Sequence, residues 1–218
     1  MKLLFKLTTR SRPQRAIKTL ESIYANIKTD NFHILMSLDS DDPTTPDLYE
    51  WCSGKFDKIT IKFGESKNKI DAINRDLNNL LIKWDVLLNV SDDQVFIKQG
   101  FDEVILQSLN GNLNQFLHFP DGNQKDLATM SIMGYDYYMK DKYIYHPSYQ
   151  SVYCDNEAQD VAKLRGCYKF INEDILVHEH PAWGRAPMDY QYAKTEHPTT
   201  YMQDEANYKK RKNANFNN

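Results

Sequence analysis

The sequence predicts an α/β domain built on a mostly parallel central sheet with helices on both faces. Two observations carry that expectation. Short, nearly continuous apolar runs at residues 3–7, 32–38 and 84–90 read as strands buried on both faces. Segments with helical spacing lie between them, and alternating strand and helix implies parallel pairs joined by right-handed crossovers. A chain of 218 residues suffices for one large α/β domain.

Each element has its own signal. The run at 3–7 enters Thr8-Thr9-Arg10-Ser11-Arg12-Pro13, where Pro13 suits the first turn of a helix. Ala16, Ile17, Leu20, Ile23, Tyr24 and Ile27 then recur at helical spacing. The run at 32–38 closes in Asp39-Ser40-Asp41-Asp42-Pro43. A short helix at 47–52, a strand at 58–63 and a loop at 64–68 follow. Residues 69–82 are expected as one helix, with Ile70, Ile73, Leu77, Leu80 and Leu81 on one face. The central strand ends in Ser91-Asp92-Asp93. After it come a helix at 101–109, strands at 116–119 and 128–133, an aromatic stretch at 135–149, a helix at 155–164 and a last strand at 174–180. From about Pro181 periodicity is weak. The end, with Lys209-Lys210-Arg211-Lys212, is expected to be a frayed helix or disordered, its cations solvated.

Composition removes several function classes. The net charge of −3 predicts no global attraction to nucleic acid or an anionic membrane. No apolar run approaches the roughly 20 residues that span a bilayer, and the first seven residues are too short an apolar core for a signal peptide. The three cysteines, Cys52, Cys154 and Cys167, form no C-x-x-C and read as reduced thiols in a cytoplasmic protein. With eight glycines and neither G-x-G-x-x-G nor G-x-x-x-x-G-K, the chain lacks the loops that cradle phosphates through backbone amides. Bound phosphates would have to be held by charge.

Asp92 and Asp93 supply the acidic half of such a site. A buried strand that delivers adjacent carboxylates to a sheet edge makes a hard-oxygen site for Mn²⁺ or Mg²⁺, which would clamp a nucleotide's diphosphate. Ligands in parallel sheets bind beyond the carboxyl ends of the strands, where residues 8–12 and 39–42 also fall. In Val177-His178-Glu179-His180, alternate residues share a strand face, so His178 and His180 can reach one metal. Asp155, with Glu157 behind it, lies at a helix start, where a carboxylate can act as a general base or as an N-cap. Trp183 follows the histidines and offers a ring to a sugar face; most of the other rings read equally well as core.

The order of residues 3–13, 35–42, Lys69-x-x-Ala72-x-Asn74-Arg75 and 87–93 resembles family 2-like glycosyltransferases with the GT-A fold. Residues 92–102 resemble the short phage and bacterial members of that group. The resemblance implies that Thr8, Thr9, Arg10, Arg12 and Asp39 hold the nucleoside, with Lys69, Asn74, Ser91 and Asp92 also at the donor. It implies that Asp93 binds the metal together with a late histidine, His178 or His180. Ser91-Asp92-Asp93 departs from the family's Asp-x-Asp motif by lacking the first carboxylate. The resemblance further implies that Asp155 is the base of an inverting transfer from a nucleotide sugar, UDP-linked by expectation, to a hydroxyl acceptor of unspecified class. Residues 1–100 would form the nucleotide-sugar-binding half, 101–190 the acceptor-binding half of the same domain, and 191–218 a partly disordered extension. A metal-dependent nucleotidyltransferase or phosphohydrolase, or a non-catalytic glycan-binding scaffold, are the other readings.

Overall fold

The computed structural model describes residues 1–217. A seven-stranded sheet in the order β3-β2-β1-β4-β7-β6-β8 is built from β1 (Leu3–Thr9), β2 (Phe32–Asp39), β3 (Ile59–Gly64), β4 (Val86–Ser91), β6 (Phe116–His118), β7 (Ile132–Gly134) and β8 (Tyr168–Phe170). Neighbours β3, β2, β1 and β4 pair in parallel, and only β7 runs against the rest. A separate two-stranded ribbon pairs β5 (Gln94–Phe96) with β9 (Leu176–His178). Helices α1 (Pro13–Asn26), α2 (Thr45–Lys55), α3 (Lys69–Asn74), α4 (Phe101–Leu109), α5 (Tyr135–Tyr138), α6 (Cys154–Leu164), α7 (Tyr190–Thr195) and α8 (Pro198–Asn213) surround it. No helix among the described residues is long and apolar enough to cross a membrane.

Strand alternation explains the two cores. Leu3, Phe5 and Leu7, with Ile34, Met36, Val86 and Leu88, pack against α1, α2 and α4. Leu4, Leu35 and Leu87 point the other way, to α3, Trp84, Tyr137 and α6. Burial on both faces is why these strands read as unbroken apolar runs. Toward their carboxyl ends the second face changes character. Lys6 sits opposite Asn89 in register and Thr8 opposite Ser37, and all but Thr8 are buried. That polar patch forms where ligands bind in such sheets.

Four local expectations are corrected. The helix expected over 69–82 stops at Asn74, because Asn74 is held by the chain at Ile144 and Tyr145 and Asp76 takes a left-handed φ of 73°. Leu77 stays buried, whereas Leu81 is almost fully exposed. The strand expected at 128–133 is confined to Ile132–Gly134. The last strand, Leu176–His178, leaves the central sheet and pairs antiparallel with β5, which the sequence reading missed, as it missed β8. The basic tail is the final correction. It forms α8, whose Asp204 is buried and accepts from the backbone amides of Gln150, Ser151 and Val152 at 2.8–3.2 Å. Satisfying three amides ahead of α6 fixes the helix in place.

Candidate functional site

A cavity of about 1170 Å³ opens at the carboxyl ends of β1, β2 and β4. Its floor includes Thr8, Ser37, Asn89 and Ser91, and its walls include the start of α6, the end of β9, α7 and the start of α8. Of the residues expected at a site, Thr8, Thr9, Arg10, Arg12, Asp39, Lys69, Ser91, Asp92, Asp93, Asp155, His178, His180 and Trp183 all line it. Asn74 and Glu157 do not. Asn74 spends its amide on the 144–145 backbone, a structural clamp rather than a donor contact.

The carboxylate pair lies in the turn between β4 and β5, and the two side chains face different partners. Asp92 accepts from Thr9 Oγ1 at 2.6 Å and lies 3.4 Å from Arg12. Burial, then the charge of Asp93, pushes its pKa up to about 6. Asp93 is equally buried, which alone would raise its pKa. His178 Nε2 at 3.3 Å and the Tyr192 hydroxyl at 2.7 Å outweigh burial and hold Asp93 below the usual carboxylate range. The β5–β9 register explains the meeting: Gln94 pairs with His178, so the histidine stands beside the residue before Gln94. His180, just past the strand end, is engaged at both nitrogens, by Glu196 at 2.7 Å and the Ala182 amide at 3.2 Å. Only His178 of the two therefore contacts Asp93.

These groups fit a divalent cation in one specific way. Asp93 Oδ1 is buried without a hydrogen-bond partner, an unsatisfied acceptor that normally costs stability. Among the described residues no three His, Cys, Asp or Glu side chains converge as a cage. One carboxylate and one imidazole suit a cation whose remaining positions are filled by substrate phosphates and water.

Along the wall formed by β1 and β2, Arg10 bridges Asp39 at 2.9 Å and Asp41 at 2.6 Å, while Ser66 donates to Asp39 at 2.7 Å. Arg12 reaches Asp189 at 2.6 Å and stacks on Tyr192, 3.7 Å from its ring centre. Asp189 carried no sequence signal and Tyr192 only that of one late ring among several, since the contact spans 177 residues for Asp189 and 99 for Tyr192 with Asp93.

Asp155 and Glu157, two residues apart, have separate fates. Tyr153, not Asp155, is the N-cap of α6, in a left-handed conformation. The half-buried Asp155 lines the cavity and accepts only the adjacent Asn156 amide, at 2.9 Å. Burial raises its pKa, with Lys69 opposing. Glu157 points away, its oxygens taken by the Tyr149 hydroxyl at 2.7 Å and by Arg211 at 2.7 and 2.9 Å. It is a buried ion-pair partner, not a second base. Arg211 is thus no solvated tail cation, and Lys212 pairs with Asp160 at 2.8 Å. Arg211→Ala, or removal of the chain after Tyr208, is expected to destabilise the fold by about 3–5 kcal/mol by leaving Glu157 buried and unpaired. Urea melts check this; an unchanged midpoint would return the tail to a solvated role.

Lys6 was also missed, although a lysine inside an apolar strand is itself a signal. It is fully buried, donates to Ser37 Oγ on the cavity floor, and Ser37 donates to Asp76 at 2.6 Å. Burial pulls its pKa down to about 7, with Asp76 partly opposing. The unfolded lysine binds a proton below about pH 10.4, the folded one only nearer 7, so this group makes stability rise with pH through that window, by up to about 1.4 kcal/mol per pH unit. Lys6→Met is expected to flatten the stability curve between pH 7 and 10. Parallel wild-type and variant curves in denaturant melts would rule that out.

No protein-family model matches the sequence, and no curated protein matches it. Solved structures do. The mannosyltransferase PcManGT from Pyrobaculum calidifontis, in complex with GDP-Man and Mn²⁺, superposes with a TM-score of 0.64 at 11% identity, over 79% of this chain and 54% of that one. S. aureus TarS gives 0.65 at 13% identity, over 81% and 36%. The TarS 1-349 structure in complex with UDP-GlcNAc gives 0.64 at 14% identity, over 81% and 57%. The fold is that of these glycosyltransferases. The chain spans between about a third and three fifths of the length of the structures it matches.

Proposed function

We propose that this chain transfers a sugar from a nucleoside-diphosphate donor, with a UDP-sugar as the first candidate, to a hydroxyl acceptor with inversion at the anomeric carbon. The observation that carries the reading is one cavity that holds both an ionised carboxylate with a bare oxygen, Asp93 beside His178, and a second, isolated carboxylate, Asp155. Neighbours of the same fold that were solved with GDP-Man and UDP-GlcNAc support the donor class. Asp93 and His178 would hold Mn²⁺ or Mg²⁺, which when bound supplies positive charge to the departing diphosphate. Thr8, Thr9, Arg10 and Asp39 would hold the nucleoside. Arg12 and Lys69 lie where they can meet phosphate oxygens, Arg12 by exchanging Asp189 for the ligand.

Asp155 would accept the acceptor's hydroxyl proton as that oxygen attacks the anomeric carbon and the bond to the diphosphate breaks. Trp183 and Tyr201, both about half exposed at the cavity, offer rings to the acceptor. On this reading residues 1–100 carry the donor half and 101–190 the acceptor half, with α7 and α8 closing the site. Free Cys52, Cys154 and Cys167 support a reducing compartment such as the cytoplasm.

The test is a thermal-shift screen of nucleotide sugars with and without Mn²⁺, followed by product analysis, since a ligand selective for the native state raises the melting temperature. Release of a nucleoside diphosphate supports glycosyl transfer. Release of a monophosphate with pyrophosphate would replace it by attack at phosphorus, and binding without turnover would leave a glycan-binding scaffold.

A further inference from the structure

Asp121 stands behind His178, in the loop between β6 and β7. It is almost completely buried, yet its carboxylate borders the cavity. Four donors fix it. Oδ1 accepts the Asn123 and Gln124 amides, each at 2.9 Å, and Oδ2 accepts Thr129 Oγ1 at 3.2 Å and Gln124 Nε2 at 3.3 Å. His178 Nδ1 lies 3.5 Å from Oδ2, and the His178 amide donates to the Asp121 carbonyl at 2.8 Å. The Asp121 carboxylate therefore stands at ion-pair distance behind the imidazole, whose buried Nδ1 has no hydrogen-bond partner, while Nε2 points at Asp93, 3.3 Å away. A carboxylate anchored by four donors is a stiff reference point. A strand-end histidine without one could turn about its side-chain bonds, at the cost only of a rotamer change.

We propose that Asp121 is a positioning residue: through His178 Nδ1 it fixes the ring so that Nε2 is presented, together with Asp93, to a divalent cation. The assignment rests on the cation reading above. A carboxylate on the far nitrogen of a ligating histidine sets which nitrogen carries the proton and which is available, and loss of such a partner usually costs 10–100-fold in metal affinity.

The experiment titrates Mn²⁺ alone into the full-length chain and follows the free ion by electron paramagnetic resonance. Wild type, Asp121→Asn, His178→Ala and the double variant form a cycle. Asp121→Asn, whose amide oxygen can still accept the loop amides, is expected to weaken Mn²⁺ by about 10–100-fold. In the His178→Ala background the same change is expected to matter less than about twofold, because the residue it works through is gone. An equal loss in both backgrounds would show that Asp121 acts without His178 and overturn the assignment. Asp121→Glu keeps the charge on the same loop and is expected to recover part of the affinity; a Glu variant as weak as the Asn variant would assign the loss to loop geometry and also overturn it. A wild-type chain that takes up no Mn²⁺ but releases nucleoside diphosphate from a donor overturns the role of Asp121 and leaves the transferase reading standing. Neither uptake nor release overturns both.

Discussion

Asp155→Asn is expected to keep donor affinity nearly unchanged and to cut turnover by about 10²–10⁴-fold, the range associated with a positioned acid or base. The amide is isosteric and can still accept the Asn156 backbone N–H, so α6 keeps its first turn. What is lost is the ability to take a proton. Because burial raises the Asp155 pKa, the acid limb of the wild-type profile is expected above the ordinary carboxylate range, with activity rising as pH passes through that pKa. Asp92, pushed up to about 6, titrates in the same direction. The two separate by variant: Asp92→Asn should keep the limb that Asp155→Asn abolishes. The measurements are donor Kd by calorimetry and kcat against pH. A collapse of donor affinity with turnover per bound donor intact would move Asp155 out of the proton-transfer role.

Asp93→Asn is expected to keep the fold and to lose metal-dependent turnover by more than about 100-fold, beyond the range for removing an outer partner of a metal ligand. A neutral amide is a poorer ligand for a hard cation, and the bare Oδ1 is the atom concerned. The Tyr192 hydroxyl can still donate to the amide oxygen, so the stack of Arg12 on Tyr192 should survive. Circular dichroism checks the fold, and a Mn²⁺ titration of activity checks the loss. Unchanged Mn²⁺ dependence would place any cation elsewhere.

By itself the sequence determined the strand-helix alternation, the both-faces burial of β1, β2 and β4, and the edge at which Asp39, Asp92 and Asp93 emerge. These depend on local periodicity, and a strand buried on two sides must be apolar throughout. The loops at residues 8–12 and 39–42 were legible for the same reason, because parallel sheets place such loops at one edge. Tertiary structure decided everything that depends on which distant segments meet. His178 and His180 look equivalent in sequence. Only the antiparallel β5–β9 pairing sets His178 against Asp93, while Glu196 engages His180. Asp155 and Glu157 share a first turn, yet the helix rotates one into the cavity and the other onto Arg211. Asp121, Asp189 and Asp204 gave no signal, and Tyr192 only that of one ring among many, because the contacts that place them at this site, to His178, Arg12, the amides of residues 150–152 and Asp93, span 52 to 177 residues. The basic tail read as solvated because the acids that engage Arg211 and Lys212 lie 54 and 52 residues away, whereas Lys209 pairs locally with Glu205. Part of its order comes from α6, which presents Glu157 and Asp160 to it, and the buried Glu157 carboxylate is stabilised by the Arg211 cation it meets there.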